Sequence, residues 1–172
     1  MTATADQRGA PRKVLVVGLG NPDRGDDGIG TIVVQQLAGR LPADVALLAR
    51  SGDMLALIAD WAGFDALVCV DAAGPMMGPG RIHRIDLAID ALPPNISITS
   101  SHAFSLAEAV SLARTLQLAP QDIVVYAVEG CCFDSGAPLT AAVMMAAGEV
   151  ARRILVEVGH LRRRAIETTS HA

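Results

Sequence analysis

Apolar runs that alternate with helix-like segments constrain the fold of this chain more than any other feature. The runs, at 13–17, 45–49 and 66–70, are rich in β-branched residues, which is typical of buried strands. Between them, residues 28–41 and 53–61 carry apolar side chains at helical spacing. A β-α-β-α-β order requires right-handed crossovers onto a largely parallel sheet. The sequence therefore predicts an α/β fold with helices on both faces of the sheet.

The second half of the chain adds two strand-like runs and two helical patterns. Residues 81–87 form a weakly patterned strand whose direction the sequence leaves open, whereas 123–128 form a strongly apolar one. Helical spacing occupies 105–116. Thr140 is a suitable N-cap for a last helix that extends to about Val158.

Length and composition predict a single domain. The chain has 172 residues, of which 51% are hydrophobic and only 3% aromatic, and it contains no linker. We expect the domain to cover 13–161, with 1–12 and 162–172 as flexible tails. A net charge of -4 gives no basic surface for nucleic acid, and no apolar run is long enough for a membrane span. Because 1–12 lacks the apolar segment of a secretory signal, a cytoplasmic location is expected.

The three cysteines do not have the spacing of a zinc site or a disulfide framework. Cys69 lies within an apolar run, and Cys131 and Cys132 are adjacent. In a reducing compartment the thiols should stay reduced. We expect the cysteines to be buried or incidental.

Three polar clusters lie where a parallel sheet would form a site. They are the loop 23–28, which leads into the first helix, Asp71 directly after a buried run, and His102 before the third predicted helix. Asp26 and Asp27 would serve as helix caps, but one aspartate suffices for a cap. A hydrogen-bonded structural histidine is the simpler interpretation of His102 alone, whereas Asp71 at the sheet edge favours a functional role.

Two carboxylates and one imidazole suit two kinds of chemistry. Asp27, Asp71 and His102 together would form an open site for a divalent metal such as nickel or zinc, with positions left for water or a substrate-borne metal. The same carboxylates could instead act without metal, one as a general base and the other as an acid. The residues alone leave both open.

The glycines after the first strand do not predict a nucleotide site. Gly18-Leu19-Gly20 has the start of a dinucleotide fingerprint, but the third glycine position is occupied by Asp23, which would repel a pyrophosphate. A P-loop motif is also missing from the sequence.

Four segments together resemble the hydrogenase maturation proteases. Val14–Gly30 closely resembles the N-terminal signature of that family, and Val68–Ala72 its second acidic motif. Ser100–His102 is similar to its histidine motif, and Val125–Gly130, followed by Gly136–Thr140, to its closing strand, loop and helix start. The resemblance covers about Val14 to Val158, with the motifs in order.

The resemblance implies a twisted, mostly parallel five-stranded sheet of the phosphorylase/hydrolase-like kind, and a cleft in which three side chains coordinate a metal. Asp27, Asp71 and His102 would be the ligands, with the two aspartates also catalytic. Family members can carry glutamate at the first ligand position, where this chain has the shorter Asp27. The supporting loop residues would be Gly18, Gly20, Asn21, Asp26 and Gly28.

The function implied by the resemblance is an endopeptidase, with an aspartic-type assignment, that removes the C-terminal peptide of a nickel-iron hydrogenase large-subunit precursor after nickel insertion. No permanent cofactor is expected, because Ni²⁺ would arrive with the substrate, although other divalent metals could occupy the site. A nickel-sensing or chaperone-like protein that binds the large subunit without cutting it is the alternative. Peptidyl-tRNA hydrolase, which also begins with Gly-Leu-Gly-Asn-Pro, fits poorly because the chain is acidic and has Asp26-Asp27-Gly28 after that turn.

Overall fold

The structure is a computed structural model that describes residues 11–90 and 105–164. Within these ranges, the strands are β1 (Val14–Leu19), β2 (Ala46–Arg50), β3 (Ala66–Ala73), β4 (Ile82–Asp86) and β5 (Asp122–Glu129). The helices are α1 (Ile29–Leu37), α2 (Met54–Trp61), α3 (Leu106–Thr115) and α4 (Ala141–Arg163), and a 3₁₀ turn at Gly25–Gly28 precedes α1.

The five strands form one sheet in the order β2-β1-β3-β5-β4. β1, β2, β3 and β5 are parallel, and β4 pairs antiparallel with β5 at the edge. The predicted α/β fold with a mostly parallel five-stranded sheet is confirmed, and the direction of β4 that the sequence left open is antiparallel.

Two apolar layers cover the sheet, one on each face, and therefore bury its strands on both sides. Val14 and Val16 of β1 face the layer that contains α1 and α4, whereas Leu15 and Val17 face the layer that contains α2 and α3. Trp61 at the end of α2 is fully buried in the second layer. This arrangement explains why the strands read as continuous apolar runs rather than as alternating ones.

The element boundaries differ from the predicted ones in two instructive places. The first helix ends at Leu37 rather than near residue 41, because Ala38 leaves helical geometry and Gly39 has a positive φ of 74°. β3 continues to Ala73, so Asp71 lies inside the strand and not after it.

Arginines at both ends of the described chain contact the folded domain. The Arg12 side chain is 2% exposed and donates to Asp122 at 2.5 Å, and Arg164 donates to the other oxygen of Asp122 at 2.6 Å. Arg162 forms a surface pair with Asp44. These contacts involve residues just outside 13–161, and the domain limits themselves stay a prediction.

The helices of the described chain include none with the length and apolarity that crossing a membrane requires.

Candidate active site

The candidate site lies where the parallel strands β1 and β3 end side by side. From β1 the chain turns through the 3₁₀ turn into α1 and on to β2, on one side of β1, whereas β3 lies on the other side. In open α/β sheets, ligands bind at such a reversal of strand order, outside the carboxyl ends of the strands. Two of the predicted site aspartates lie there.

Asp71 is buried near the end of β3, the central strand. Its Oδ1 accepts a hydrogen bond of 2.8 Å from the Ala72 backbone, but its buried Oδ2 has no hydrogen-bond partner among the described residues. Burial raises the pKa of Asp71 to about 8; the Ala72 bond opposes this rise, and the negative charge of Asp27 adds to it. At neutral pH, Asp71 therefore holds a proton.

Asp27, like Asp71, has one carboxylate oxygen with a hydrogen-bond partner and one without among the described residues. Its side chain is 4% exposed, and its Oδ2 accepts a hydrogen bond of 2.9 Å from the Asn21 backbone. The buried Oδ1 has no partner in the part of the chain that the structure describes. Because the charge of Asp27 acts on Asp71, the two carboxylates lie within electrostatic reach of each other.

Two glycines of the predicted supporting loop permit close backbone contacts. Gly20 has a φ of 112°, and a Cβ atom at this position would overlap the carbonyl oxygen of Asp27. A Cβ at Gly18 would overlap the carbonyl of Gly30, so β1 and α1 approach closely here. Each glycine keeps the segment after β1 close to the strand end, which positions Asp27.

The other supporting residues complete the same loop. The Asn21 side-chain oxygen accepts a hydrogen bond of 2.9 Å from the Asp23 backbone. Gly28 is the N-cap residue of α1, and a Cβ there would meet Pro22 at 3.0 Å. The loop is therefore tightly packed.

Asp26 binds the backbone of distant segments and does not cap the 3₁₀ turn in which it lies. Its Oδ2 accepts from the backbones of Cys131 at 2.9 Å and Cys132 at 3.1 Å, and its Oδ1 from the backbone of Thr140 at 2.7 Å. Burial opposes ionisation, but these hydrogen bonds prevail and hold the pKa of Asp26 below its usual value. Thr140 is the N-cap residue of α4, as predicted, with its hydroxyl bonded to Asp26.

Glu129, which sequence reasoning did not assign to the site, fixes the segment that follows Asp71. Its fully buried carboxylate accepts from three consecutive backbone N–H groups and contacts His83 Nε2 at 2.6 Å. The three donors are Met76, Met77 and Gly78, at 3.1, 2.7 and 2.8 Å. These bonds outweigh the effect of burial and lower the pKa of Glu129 to about 2. The sequence contained one signal that could have identified Glu129, namely a glutamate at the end of an apolar strand.

The segment 129–132 thus connects both sides of the site, and we call it the connecting segment. Through the amides of Cys131 and Cys132 it holds the loop that carries Asp27, and through Glu129 it holds the segment 74–80 beyond Asp71.

The third predicted ligand, His102, lies outside the described residues. Among residues 11–90 and 105–164, no group of three or more histidine, cysteine, aspartate or glutamate side chains is arranged to hold a metal ion. The described part of the site is therefore a pair of buried carboxylates.

Comparison with known proteins identifies the fold. No protein-family model and no curated protein matches the chain. Solved structures do: the hydrogenase maturating endopeptidase HybD from E. coli is 22% identical, with a TM-score of 0.71 over 86% of this chain and 93% of that one. The NiFe hydrogenase maturation protease HycI from Thermococcus kodakarensis is 21% identical, with a TM-score of 0.71 over 87% and 94%. An endopeptidase from Escherichia coli, 23% identical, gives 0.72 over 90% and 96%. The chain therefore has the fold of these endopeptidases over nearly their whole length.

Proposed function

We propose that this protein is an endopeptidase that removes the C-terminal peptide of a nickel-iron hydrogenase large-subunit precursor after nickel insertion. Three lines support the proposal: the ordered motifs of the sequence, the fold that the chain has in common with solved maturation endopeptidases, and the pair of buried aspartates at the sheet edge. The partner is the precursor, and a cytoplasmic location remains the sequence-based expectation.

The observation that carries the proposal is a pair of buried oxygens, Asp27 Oδ1 and Asp71 Oδ2, that have no hydrogen-bond partner among residues 11–90 and 105–164. A buried carboxylate oxygen without a donor is costly, and binding an ion is one way in which a protein compensates that cost. A divalent cation would satisfy both oxygens at once and would favour the ionised form of Asp71. The donor set therefore fits a metal that arrives from outside.

In the proposed reaction, nickel is part of the substrate. Asp27, Asp71 and His102 would complete the coordination of nickel already held by the precursor, so that docking places the nearby peptide bond at the site. Because three protein ligands leave coordination positions open, they can hold a metal that keeps its own ligands from the precursor. We assign the activation of the attacking water to the same two aspartates, which corresponds to the aspartic-type assignment.

The test is to incubate the protein with nickel-free and nickel-loaded precursor and to follow the mass of each. We expect a shorter product from the loaded form alone. The variants Asp27→Asn and Asp71→Asn should lose at least about a hundredfold in cleavage rate. Asp23→Asn, the same change at an exposed position of the same loop, is the matched control and should retain the rate.

Two results would contradict parts of the proposal. Equal cleavage of both precursor forms would remove the dependence on nickel. Cleavage of neither form, with nickel-dependent binding retained, would support the alternative of a protein that binds the large subunit without cutting it.

A further inference from the structure

Two adjacent cysteines lie in the connecting segment, beside the loop that carries Asp27. Cys131 is exposed and Cys132 is half-buried, whereas Cys69 is fully buried in β3. Burial raises the pKa of the Cys69 thiol far above its usual range, so that thiol is inert. The accessible thiols of the described chain are therefore next to each other in sequence.

The backbone of these two cysteines supports the site. Their amides donate to Asp26 Oδ2 at 2.9 and 3.1 Å, and Asp26 also accepts from Thr140 at the start of α4. Asp26 directly precedes Asp27, whose Oδ2 is held by the Asn21 backbone. A change in the peptide between the cysteines would act on Asp26 and, through it, on the position of Asp27.

We propose that Cys131 and Cys132 form a reversible vicinal disulfide, and that this modification displaces the amides from Asp26 and inactivates the site. The loss of activity rests on the proposed endopeptidase function, whereas the modification and its effect on Asp26 do not. The oxidant that would form this bridge is a low-molecular-weight disulfide.

The geometry of a disulfide explains why its formation must disturb the amides. Bridged cysteines usually have Cα atoms about 4.4–6.8 Å apart. Adjacent Cα atoms are only about 3.8 Å apart across a trans peptide. Ring closure therefore twists the peptide that joins Cys131 to Cys132, and the N–H of that peptide is the one that donates to Asp26 from Cys132. Such a strained bridge is also readily reduced, which suits a reversible modification.

The chemistry balances with oxidised glutathione as the oxidant. The Cys131 thiolate, being the more exposed, attacks one glutathione sulfur, forms a mixed disulfide and releases one glutathione thiolate. The Cys132 thiolate then attacks the Cys131 sulfur and expels the second glutathione. The protein loses two protons and two electrons, and the oxidised glutathione becomes two reduced molecules.

The experiment treats the full chain with oxidised glutathione and then measures intact mass, the cross-linked peptide, and hydrogen exchange at the amides of Cys132 and Thr140. We expect a mass lower by two hydrogen atoms, with no glutathione attached. Exchange at the Cys132 amide should be roughly tenfold faster, because its hydrogen bond to a charged group is lost. Exchange at Thr140 should also become faster, because its acceptor Asp26 shifts. Dithiothreitol should reverse both changes.

The variants Cys131→Ser and Cys132→Ser, each compared with itself before and after oxidation, are the controls. Either can form only a mixed disulfide with glutathione, and exchange at Thr140 should then change much less. A parent protein that stops at the mixed disulfide, or a vicinal disulfide with unchanged exchange at both amides, would overturn the proposal. Faster exchange in a protein that never cleaves precursor would support the modification and contradict only the proposed protease function.

Discussion

Asp71 combines a central position in the sheet with a proton that it holds at neutral pH. Its pKa is raised from 3.8 to about 8 in the folded state, so the folded state binds this proton more tightly than the unfolded chain does. The contribution of Asp71 to stability therefore falls as the pH rises from about 4 to about 8. The residue is unfavourable for folding above that range, which is expected of a group retained for chemistry.

Asp71→Asn tests this conflict between stability and activity. The neutral amide avoids burying a charge, so the free energy of unfolding at pH 8 should exceed that of the parent by more than about 1 kcal/mol. The gain should shrink towards pH 4, while precursor cleavage is lost at every pH. Urea unfolding at a series of pH values measures the first effect. A variant that is equally destabilised at pH 4 and pH 8 would contradict the assignment.

Gly20→Ala should damage the site through its backbone. The methyl group would overlap the Asp27 carbonyl at a residue with φ of 112°, so strain and displacement add to roughly 2–5 kcal/mol. Gly39→Ala is the matched control, because Gly39 also has a positive φ but has open space around it. It should cost only about 1–2 kcal/mol and leave cleavage unchanged. Thermal unfolding and cleavage rates of both variants provide the comparison, and equal losses would show that the Asp27 contact is unimportant.

The sequence predicted the individual site residues unevenly. Asp71 was identifiable because it follows an apolar run, and Asp27 because it lies in the polar loop between the first strand and the first helix, and both places are at the predicted sheet edge. The partners of Asp26 were not predictable, since they lie 105 to 114 residues further along the chain. Local pattern contains no information on such contacts.

At the scale of elements, Glu129 joins the end of β5 to the segment 74–80 that follows β3. Its carboxylate, with a pKa of about 2, contributes stability above pH 4.5 that is lost as the pH falls towards 2. The segment contains Met77, whose side chain is 69% exposed, so apolar burial contributes little to holding it in place there. The carboxylate therefore holds the segment together with the backbone bond of 2.7 Å that Gly80 donates to the Glu129 carbonyl.

Glu129→Ala should release this segment, because three backbone donors lose their acceptor. We expect a loss of roughly 1–3 kcal/mol in stability and faster exchange at the amides of Met76, Met77 and Gly78. Glu129→Gln keeps an acceptor oxygen and should show a smaller effect. Because the amide does not titrate, this variant should lack the part of the stability loss between pH 4.5 and 2 that Glu129 causes. Exchange rates measured at pH 6 for both variants would decide, and unchanged protection in the alanine variant would contradict the role.

The elements themselves were largely predictable. Hydrophobic periodicity located each described strand and helix, because the two core layers require apolar faces at regular spacing. Their limits were less certain. The sequence predicted that the third strand ends before Asp71, because an aspartate interrupts the apolar run, but β3 continues through Asp71 to Ala73. The antiparallel direction of β4 depends on pairing with β5, which the pattern of β4 alone does not specify.

At the scale of the whole molecule, charged residues at both ends of the described chain meet at one buried aspartate. Asp122 is 5% exposed and is bound by Arg12 and Arg164 on its two oxygens. The predicted minimal domain of 13–161 lacks both arginines. Breaking a buried ion pair leaves a charge without compensation, which costs about 3–5 kcal/mol.

A chain of residues 13–161 should therefore be less stable than one of 11–164, by about 3–5 kcal/mol in urea unfolding. Asp122→Asn in the shorter chain should restore part of the difference, because it removes the uncompensated charge. If both chains unfold at the same urea concentration, the arginines are dispensable and the shorter boundaries are correct.

The distant partners of Asp26 also determine when, during synthesis, the site can become complete. β1, β2 and β3, with Asp27 and Asp71, leave the ribosome well before the amides of Cys131, Cys132 and Thr140, which are 105 to 114 residues beyond Asp26. At about 5–20 residues per second, the delay is on the order of 10 s. Until then the Asp26 carboxylate lacks its donors and cannot hold the neighbouring Asp27. A nascent chain therefore carries both site aspartates without a working arrangement of them, and the last third of the polypeptide completes the site.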